Sequence, residues 1–572
     1  MHHSTLSISP SNLMREAKPL CSSVIASLAY TLLLVLGGGC SRTPTGNPSP
    51  NGVALPTVSE GVRFVNVAVS AGLKYRWQAP TRRPLTILDS IGNGCAFLDY
   101  NNDGNLDALL VGSKLALYQG DGKGHFTDVT AQTGLANLKG HFLGCAVGDY
   151  DNDGYSDLVI TGYKTGLLLH SVGGQRFKDV TRTTGIQPQS WGTSSAFGDI
   201  DGDGKLDLYI GNYVRFDSSS QQYCKTNGVN TSCPPGIYDG VAGRLYHNLG
   251  GGHFADVTRE WGLQASLGKT LGVAFADFDR SGKQSLVLAN DEVPGELYLN
   301  KGRAFTNIGA ASGIAYSNVG QAQAGMGQDW GDYDNDGRLD LAVMTFTSEL
   351  KPIYRNEGSR LFTDNSNQLG LSNTTIPYVA FGVKWLDADN DGWLDLMITN
   401  GHTSDNIADT GQAYTYREPT LFLKSEKGTR FNRISLPDLD RPIVGRGLAI
   451  GDYDNDGRMD ALIVDSEGEV VLLHNETQKA GHWLTLRLIG TVGNRDGYGA
   501  EVVVETANRK IVRYCHADGS YLSSSDPRVH FGLGGDAEAR KITIRWTNGR
   551  TQILDNVKAD RIFTVKEGDT SK

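Results

Sequence analysis

Asp332-Tyr333-Asp334-Asn335-Asp336-Gly337-Arg338-Leu339-Asp340 is a carboxylate-dense loop that runs directly into the apolar Leu341-Ala342-Val343-Met344. The pattern occurs seven times, with copies beginning at Asp99, Asp149, Asp199, Asp277, Asp332, Asp387 and Asp452. A repeat of roughly 50 to 55 residues places the chain among propellers, solenoids or arrays. Glycine supplies 72 of 572 residues, an excess expected where every repeat spends several on tight turns.

Alternating oxygen side chains around a glycine at position six are what a calcium ion requires, with a backbone carbonyl at position seven. An EF-hand also needs a bidentate Glu at position twelve. Here that position is Leu110, Ile160, Ile210, Leu288, Val343, Ile398 and Ile463, so no EF-hand forms. The last carboxylate comes instead at position nine, from Asp107, Asp157, Asp207, Asp340, Asp395 and Asp460, and a strand follows.

Before each loop lies a strand. Five positions upstream stand Gly94, Gly144, Ser194, Gly272, Gly327, Gly382 and Gly447; two positions upstream stand Phe97, Val147, Phe197, Phe275, Trp330, Trp385 and Ile450. Small residues on one face and bulky apolar ones on the other suit the crowded innermost strand of a propeller blade. Three positions upstream, usually Ala, the chain has Asp329 and Lys384 in neighbouring repeats, which predicts an ion pair between two blades. After the loop come an apolar strand, a Leu-Tyr-x-Asn strand such as Leu245-Tyr246-His247-Asn248, and a Phe-x-Asp-Val-Thr strand such as Phe254-Ala255-Asp256-Val257-Thr258. Each repeat therefore has four strands. The last repeat stops at Leu472-Leu473-His474-Asn475, and its missing outer strand stands at the other end of the chain as Phe64-Val65-Asn66-Val67. Residues 62–69 are predicted to pair with residues 471–475 and close the ring, which removes free sheet edges.

Loop, strand pattern and repeat length together resemble the FG-GAP or VCBS repeats of integrin α-chain-like seven-bladed propellers, over residues 62–479. The resemblance implies an all-β, seven-bladed β-propeller in which positions one, three, five and nine supply side-chain ligands and position seven a carbonyl. In the first loop these are Asp99, Asn101, Asp103, Asp107 and the carbonyl of Asn105; in the second Asp149, Asp151, Asp153, Asp157 and Tyr155. The third has Asp199, Asp201, Asp203, Asp207 and Lys205; the fifth Asp332, Asp334, Asp336, Asp340 and Arg338. The sixth has Asp387, Asp389, Asp391, Asp395 and Trp393; the seventh Asp452, Asp454, Asp456, Asp460 and Arg458. The fourth loop has Ser281 and Ser285 at positions five and nine beside Asp277 and Asp279, and is expected to be empty or weakly filled. About six structural calcium sites follow, at the ~10⁻⁴–10⁻³ M affinities of extracellular modules. Six divalent cations would bring +12 against the formal net charge of -10, so the acidity reads as ligand charge. The same acidity argues against a nucleic-acid partner, which needs a basic surface.

From Gly481 the pattern changes to short alternating strands with an Asn548-Gly549 turn of the type I′ kind, predicting a small β-sandwich. Asn494-Arg495-Asp496-Gly497-Tyr498-Gly499-Ala500, residues 523–534 and Ile544-Arg545-Trp546-Thr547-Asn548-Gly549 resemble the ASPIC/UnbV domain. In that combination of domains, at residues 62–479 and 480–567, the chain is similar to the cartilage acidic protein family and its bacterial members.

Residues 1–39 read as a signal peptide: Val24 to Leu36 is too short an apolar run to span a bilayer easily, and it ends in Gly37-Gly38-Gly39-Cys40. That ending resembles the lipobox of bacterial lipoproteins, although Gly37 stands where Leu is usual. It implies a lipidated Cys40, a membrane-anchored protein in the cell envelope and a flexible tether over 40–61; cleavage to a secreted protein is the alternative. Two repeats carry insertions, near 212–242 and at 401–418. Cys224 and Cys233, nine apart in the first, are expected to form a disulfide in an exported protein, whereas Cys95 and Cys145 could pair or remain free thiols. The functional expectation is a monomeric binding or adhesion module for a protein or glycan, with no catalytic residues. The alternative is an extracytoplasmic enzyme acting on polysaccharide or in secondary metabolism through the propeller face, for which His402 is the residue to test.

Overall fold

A computed structural model of the protein describes residues 61–219, 222–266 and 268–569. The expected signal peptide, Cys40 and the tether as far as residue 60 lie outside the described residues. Seven antiparallel four-stranded sheets follow one another along the chain. The first is Cys95–Leu98, Asp107–Leu110, Ala116–Gly120 and Phe126–Asp128. The first strands of successive sheets are neighbours, and the cycle closes where Gly447 N–H donates to Asn93 O at 3.1 Å. Phe64–Asn66 completes the last sheet, pairing Phe64 with Asn475, Val65 with His474 and Asn66 with Leu473.

The Leu-Tyr-x-Asn motif now has a mechanical reason. The amide of Asn356 donates to Leu339 O of its own repeat and Phe278 O of the preceding one, at 3.1 and 3.0 Å. Asn248, Asn300 and Asn475 do the same to Leu206 and Tyr150, Gln284 and Ile200, and Met459 and Ala388. Each buried side chain therefore staples two sheets. Asp329 and Lys384 pair across two innermost strands at 2.7 Å, both buried.

The C-terminal strands form two sheets: Val529–Gly534, His482–Ile489 and Arg561–Lys566 in one, and Lys510–Tyr514, Glu501–Glu505, Glu538–Arg545 and Thr551–Lys558 in the other. His482–Ile489 and Arg561–Lys566 run parallel. The turn between Glu538–Arg545 and Thr551–Lys558 departs from a type I′ hairpin. Only Gly549 has a positive φ, 83°, and Trp546 N–H donates to Arg550 O across a three-residue loop; the extra residue frees Thr547 to reach the third Asp loop.

Between its sheets the C-terminal domain sends residues 515–528 through the middle of the ring. Ser520 exchanges backbone hydrogen bonds with Gln328, Leu522 O accepts from Cys145 N–H, and Ser524 exchanges bonds with Cys95 O and Phe97 N–H. Tyr521 and Leu522 are fully buried. The small upstream residues answer partly to this thread: a Cβ on Gly94 would lie 1.8 Å from Leu522 O, and one on Gly447 2.6 Å from Ser523 Oγ. Others answer to the next blade, as at Gly382, whose Cβ would meet Arg446 O at 2.6 Å.

Candidate functional site

In each Asp loop the chain reverses by taking two residues into left-handed backbone. Position six is glycine with φ between 78° and 97° in all seven, and position four is Asn102, Asn152, Gly202, Arg280, Asn335, Asn390 and Asn455, also at positive φ. Asn and Gly tolerate that region best. The carboxylate at position one then collects the turn amides: Asp99 accepts from Asp103 and Gly104 N–H, both at 3.0 Å. Position five accepts from position seven, as Asp103 does from Asn105 at 2.9 Å, Asp153 from Tyr155, Asp391 from Trp393 and Asp456 from Arg458.

Position nine is the deepest group and has a task of its own. One oxygen of Asp107 accepts from Tyr100 N–H and the other from Gly120 N–H, both at 2.9 Å. Asp340 holds Tyr333 and Asn356, Asp395 holds Ala388 and Ser425, and Asp460 holds Tyr453 and Asn475 in the same way. Asp157 ties Tyr150 to Ser171, and Asp207 ties Ile200 to Asn248. In the fourth loop Ser285 Oγ keeps one of the two bonds, accepting from Asn300 N–H at 3.1 Å.

Collecting carboxylates out of water costs free energy while they are charged. Burial, with neighbouring Asp charges adding to it, pushes Asp107, Asp149 and Asp452 up to about 8. Asp157, Asp332, Asp387 and Asp460 rise to about 7 for the same reason. Asp332 Oδ1 is buried with no hydrogen-bond partner. Oxygen triads such as Asp149, Asp151 and Asp157, or Asp199, Asp201 and Asp203, lie within 4.8 Å of one another. Hard oxygens at that spacing fit a divalent cation.

Sequence patterning did not reveal what lies against these loops. The C-terminal domain touches all seven. Arg487 reaches Asp99 and Asn102, and Asp496 accepts from Asp149 N–H at 2.7 Å. Thr547 Oγ1 donates to Asp199, and Glu501 pairs with Arg280. Arg513 donates to Asn335 Oδ1 and Gly392 O, His530 meets Asn390 at 2.8 Å, and Arg528 donates to Asp452 O at 2.7 Å. The position-four asparagines link the loops to each other: Asn152 donates to Gly204 O, Asn335 to Gly392 O, Asn390 to Gly457 O and Asn455 to Asn105 Oδ1. Their recurrence was the legible signal for this role.

The opposite ends of the strands carry both insertions. Cys224 and Cys233 are disulfide-bonded across the hairpin Tyr223–Thr226 and Val229–Ser232, whereas Cys95 and Cys145 are free and buried. The insertions meet each other: Asn227 donates to Thr410 O at 3.0 Å and Asn406 to Asn230 O at 2.8 Å. Beneath them is a cleft of about 300 Å³ whose lining includes Tyr213, Asp291, Glu292, Phe346, Glu349 and His402, and no Lys or Arg among the described residues. Asp291, 6% exposed, accepts from Tyr213 Oη at 2.6 Å, and burial raises it to about 7. Glu349, raised by burial, accepts from Ala324 and Phe346 N–H. His402 is 3% exposed; its Nδ1 accepts from Ser404 N–H at 3.0 Å, which leaves the ring proton on Nε2. Burial and the Arg446 guanidinium lower it to about 4, so the ring stays neutral. Arg446, fully buried, stacks on Phe381 and donates to the carbonyls of Ser90, Gly401 and His402. The Tyr521 tip of the axial thread packs in the same apolar cluster as Ile91, Met326 and Phe381 of the cleft floor.

Residues 99–160 and 149–210 match the model of the FG-GAP-like repeat, and residues 490–572 that of the ASPIC and UnbV family. The chain carries FG-GAP-like repeats and an ASPIC/UnbV domain. It is also similar to cartilage acidic protein 1 of Xenopus tropicalis, 25% identical over 312 residues, 52% of this chain and 44% of that protein. The Mus musculus protein of the same name is 23% identical over 332 residues, covering 56% and 40%. This FG-GAP and ASPIC/UnbV chain thus spans less than half the length of those curated relatives. Among solved structures, an Agrocybe aegerita lectin specific for non-reducing terminal N-acetylglucosamine is 15% identical with a TM-score of 0.37, covering 60% of this chain and 81% of that one.

Proposed function

We propose that the protein is an exported, membrane-tethered binding module, held rigid by calcium in its Asp loops, that acts as a monomer and grips a partner at the cleft between its insertions. One observation carries the location. The C-terminal domain covers the loop face and threads the axis, leaving the insertion face as the ring's open end. The lining chemistry selects the partner class. Three carboxylates, no Lys or Arg among the described lining residues and an apolar floor suit the basic side chain of a protein partner, whose aliphatic stem lies on apolar surface while its charged end meets Asp291 and Glu349. The Val24 to Cys40 stretch supports export and anchoring, and the buried carboxylate clusters support calcium.

The test is binding of arrayed basic peptides, acidic peptides and glycans to the calcium-loaded protein and to its Glu349→Gln variant. Basic peptides are expected to be retained and to weaken roughly tenfold in the variant, as for a lost charge-assisted bond. Retention of glycans with indifference to basic peptides would move the ligand class to carbohydrate. Unchanged binding in Glu349→Gln would place the partner elsewhere.

A further inference from the structure

The cleft beneath the insertions changes in charge along the ring. Asp291 follows the second strand of the fourth repeat, Ser285–Asn290, and Glu349 follows that of the fifth, Asp340–Val343. His402 follows that of the sixth, Asp395–Asn400, and Arg446 belongs to the first strand of the seventh, Gly445–Gly451. Carboxylates come first, an imidazole next and a guanidinium behind it. Lys269 and Lys351, which act through space on Asp291 and Glu349, are buried and stand outside the lining.

Two groups at the imidazole end lack their natural complement. His402 is buried and lines the cleft; its Nδ1 is taken by Ser404 N–H, and its Nε2–H has no acceptor among the described residues. A buried N–H without an acceptor is costly unless water or a ligand supplies one. Arg446 is fully buried, and its hydrogen bonds go only to neutral carbonyls, those of Ser90, Gly401, Gly445 and His402. The carboxylates that act on it through space are committed elsewhere. Glu467 pairs with Arg83 at 2.7 Å, and burial holds Glu418 up at about 8, mostly protonated at neutral pH. The guanidinium stacks on Phe381, which lines the cleft, so its charge stands unneutralised behind the wall.

We propose that the cleft receives the C-terminal residue of a protein partner, a lysine or arginine with its free α-carboxylate. The inference rests on the basic-partner reading above and adds what the basic side chain is attached to. The side-chain cation meets Asp291 and Glu349; the α-carboxylate accepts from His402 Nε2–H and is drawn by the Arg446 charge behind it, an attraction that low dielectric strengthens. An internal peptide carbonyl would satisfy the imidazole alone, whereas a carboxylate answers both groups. Size points the same way. At about 300 Å³ the cleft is at the small end of ligand pockets, and the insertions bridge over it through Asn227 and Asn406, which suits a chain end better than a strand passing through.

The experiment is fluorescence anisotropy on the full chain, with calcium present, using labelled peptides of one sequence that end in arginine as the free acid, arginine as the amide or alanine as the free acid, and a fourth with the arginine moved inside. The free-acid arginine peptide is expected to bind roughly tenfold more tightly than each of the others. His402→Phe keeps a ring but removes the donor, and should bring acid and amide to within about twofold of each other. Glu349→Gln should weaken both and leave their ratio as in the wild type. Equal binding of acid and amide by the wild type, or of internal and C-terminal arginine, would overturn the C-terminal assignment and leave the basic-partner reading intact. Binding of none of the arginine peptides would remove both. An acid-over-amide ratio that survives in His402→Phe, shown by circular dichroism to be folded, would overturn His402 as the donor; if that variant does not fold, the wild-type ratio decides.

Discussion

Replacing Asp340 tests whether position nine is first a hairpin clamp. Its carboxylate is fully buried and accepts from Tyr333 N–H at 3.3 Å and Asn356 N–H at 2.8 Å. Asp340→Ala leaves two buried amides without acceptors, at about 1–3 kcal/mol each. Removing a carboxyl that burial holds well above its ordinary range returns part of that cost, so a net loss of about 2–4 kcal/mol is expected. The molecule contains its own control, because Ser285 at the same position of the fourth loop holds Asn300 N–H with a hydroxyl alone. Asp340→Ser should therefore cost about half as much as Asp340→Ala, and Asp336→Ala, an exposed carboxylate in the same loop, less than about 1 kcal/mol. The assay is urea denaturation followed by tryptophan fluorescence, with and without calcium, comparing midpoints at constant slope. Asp340→Ala indistinguishable from wild type, or Asp340→Ser as damaging as Asp340→Ala, would refute the clamp.

Stripped of metal, the protein should lose stability as pH rises from about 4 to 8. The fold raises Asp107, Asp149 and Asp452 from their ordinary 3.8 to about 8, so their contribution is complete below the unfolded value and disappears as pH passes the folded one; urea midpoints at pH 5 and pH 8 check this, and added divalent metal should flatten the difference. His402 works the other way, its contribution being present above 6.5 and lost as pH falls toward 4. Phe64, 2% exposed and 5.2 Å from the Phe422 ring, closes the last sheet, so Phe64→Ala should cost about 3–5 kcal/mol in the melting of the whole ring. Gly94→Ala would drive a Cβ into Leu522 O, and hydrogen exchange should then find the Leu522 and Ser524 amides unprotected while the outer strands stay as they were.

The ring was legible because its physics repeats. A slot that must be small, a slot that must be bulky and a loop that must reverse recur in register, so the terminal strand missing after Asn475 could be located at Phe64. The Asp329–Lys384 pair was legible for the same reason, as a break in an otherwise apolar slot. Two features were hidden. The axial thread at residues 515–528 has no periodicity of its own, and its effect on the ring, a demand for small residues at Gly94, Gly144 and Gly447, coincides with the demand for close blade packing. The cleft was hidden because Asp291, Glu349 and His402 come from three repeats and are separated by up to 111 residues, so only the closed ring brings them together. His402 drew notice for standing beside an insertion; its neutrality depends on Arg446, whose environment no local pattern announces.

The loops, the thread and the cleft are mechanically one system. Asp496 binds the second loop, Thr547 the third, Arg513 the fifth and sixth and Arg528 the seventh, and Arg528 is the last residue of the segment whose tip, Tyr521, packs beneath the cleft and donates to Ile91 O at 2.9 Å. Arg528, docked on the seventh loop, is continuous with that thread, and at Gly94 and Gly447 there is no space between the thread and the innermost strands to absorb a shift. Closely packed interiors transmit such displacements instead of absorbing them. A displacement of the loop face would therefore reach the packing at the far end of the axis.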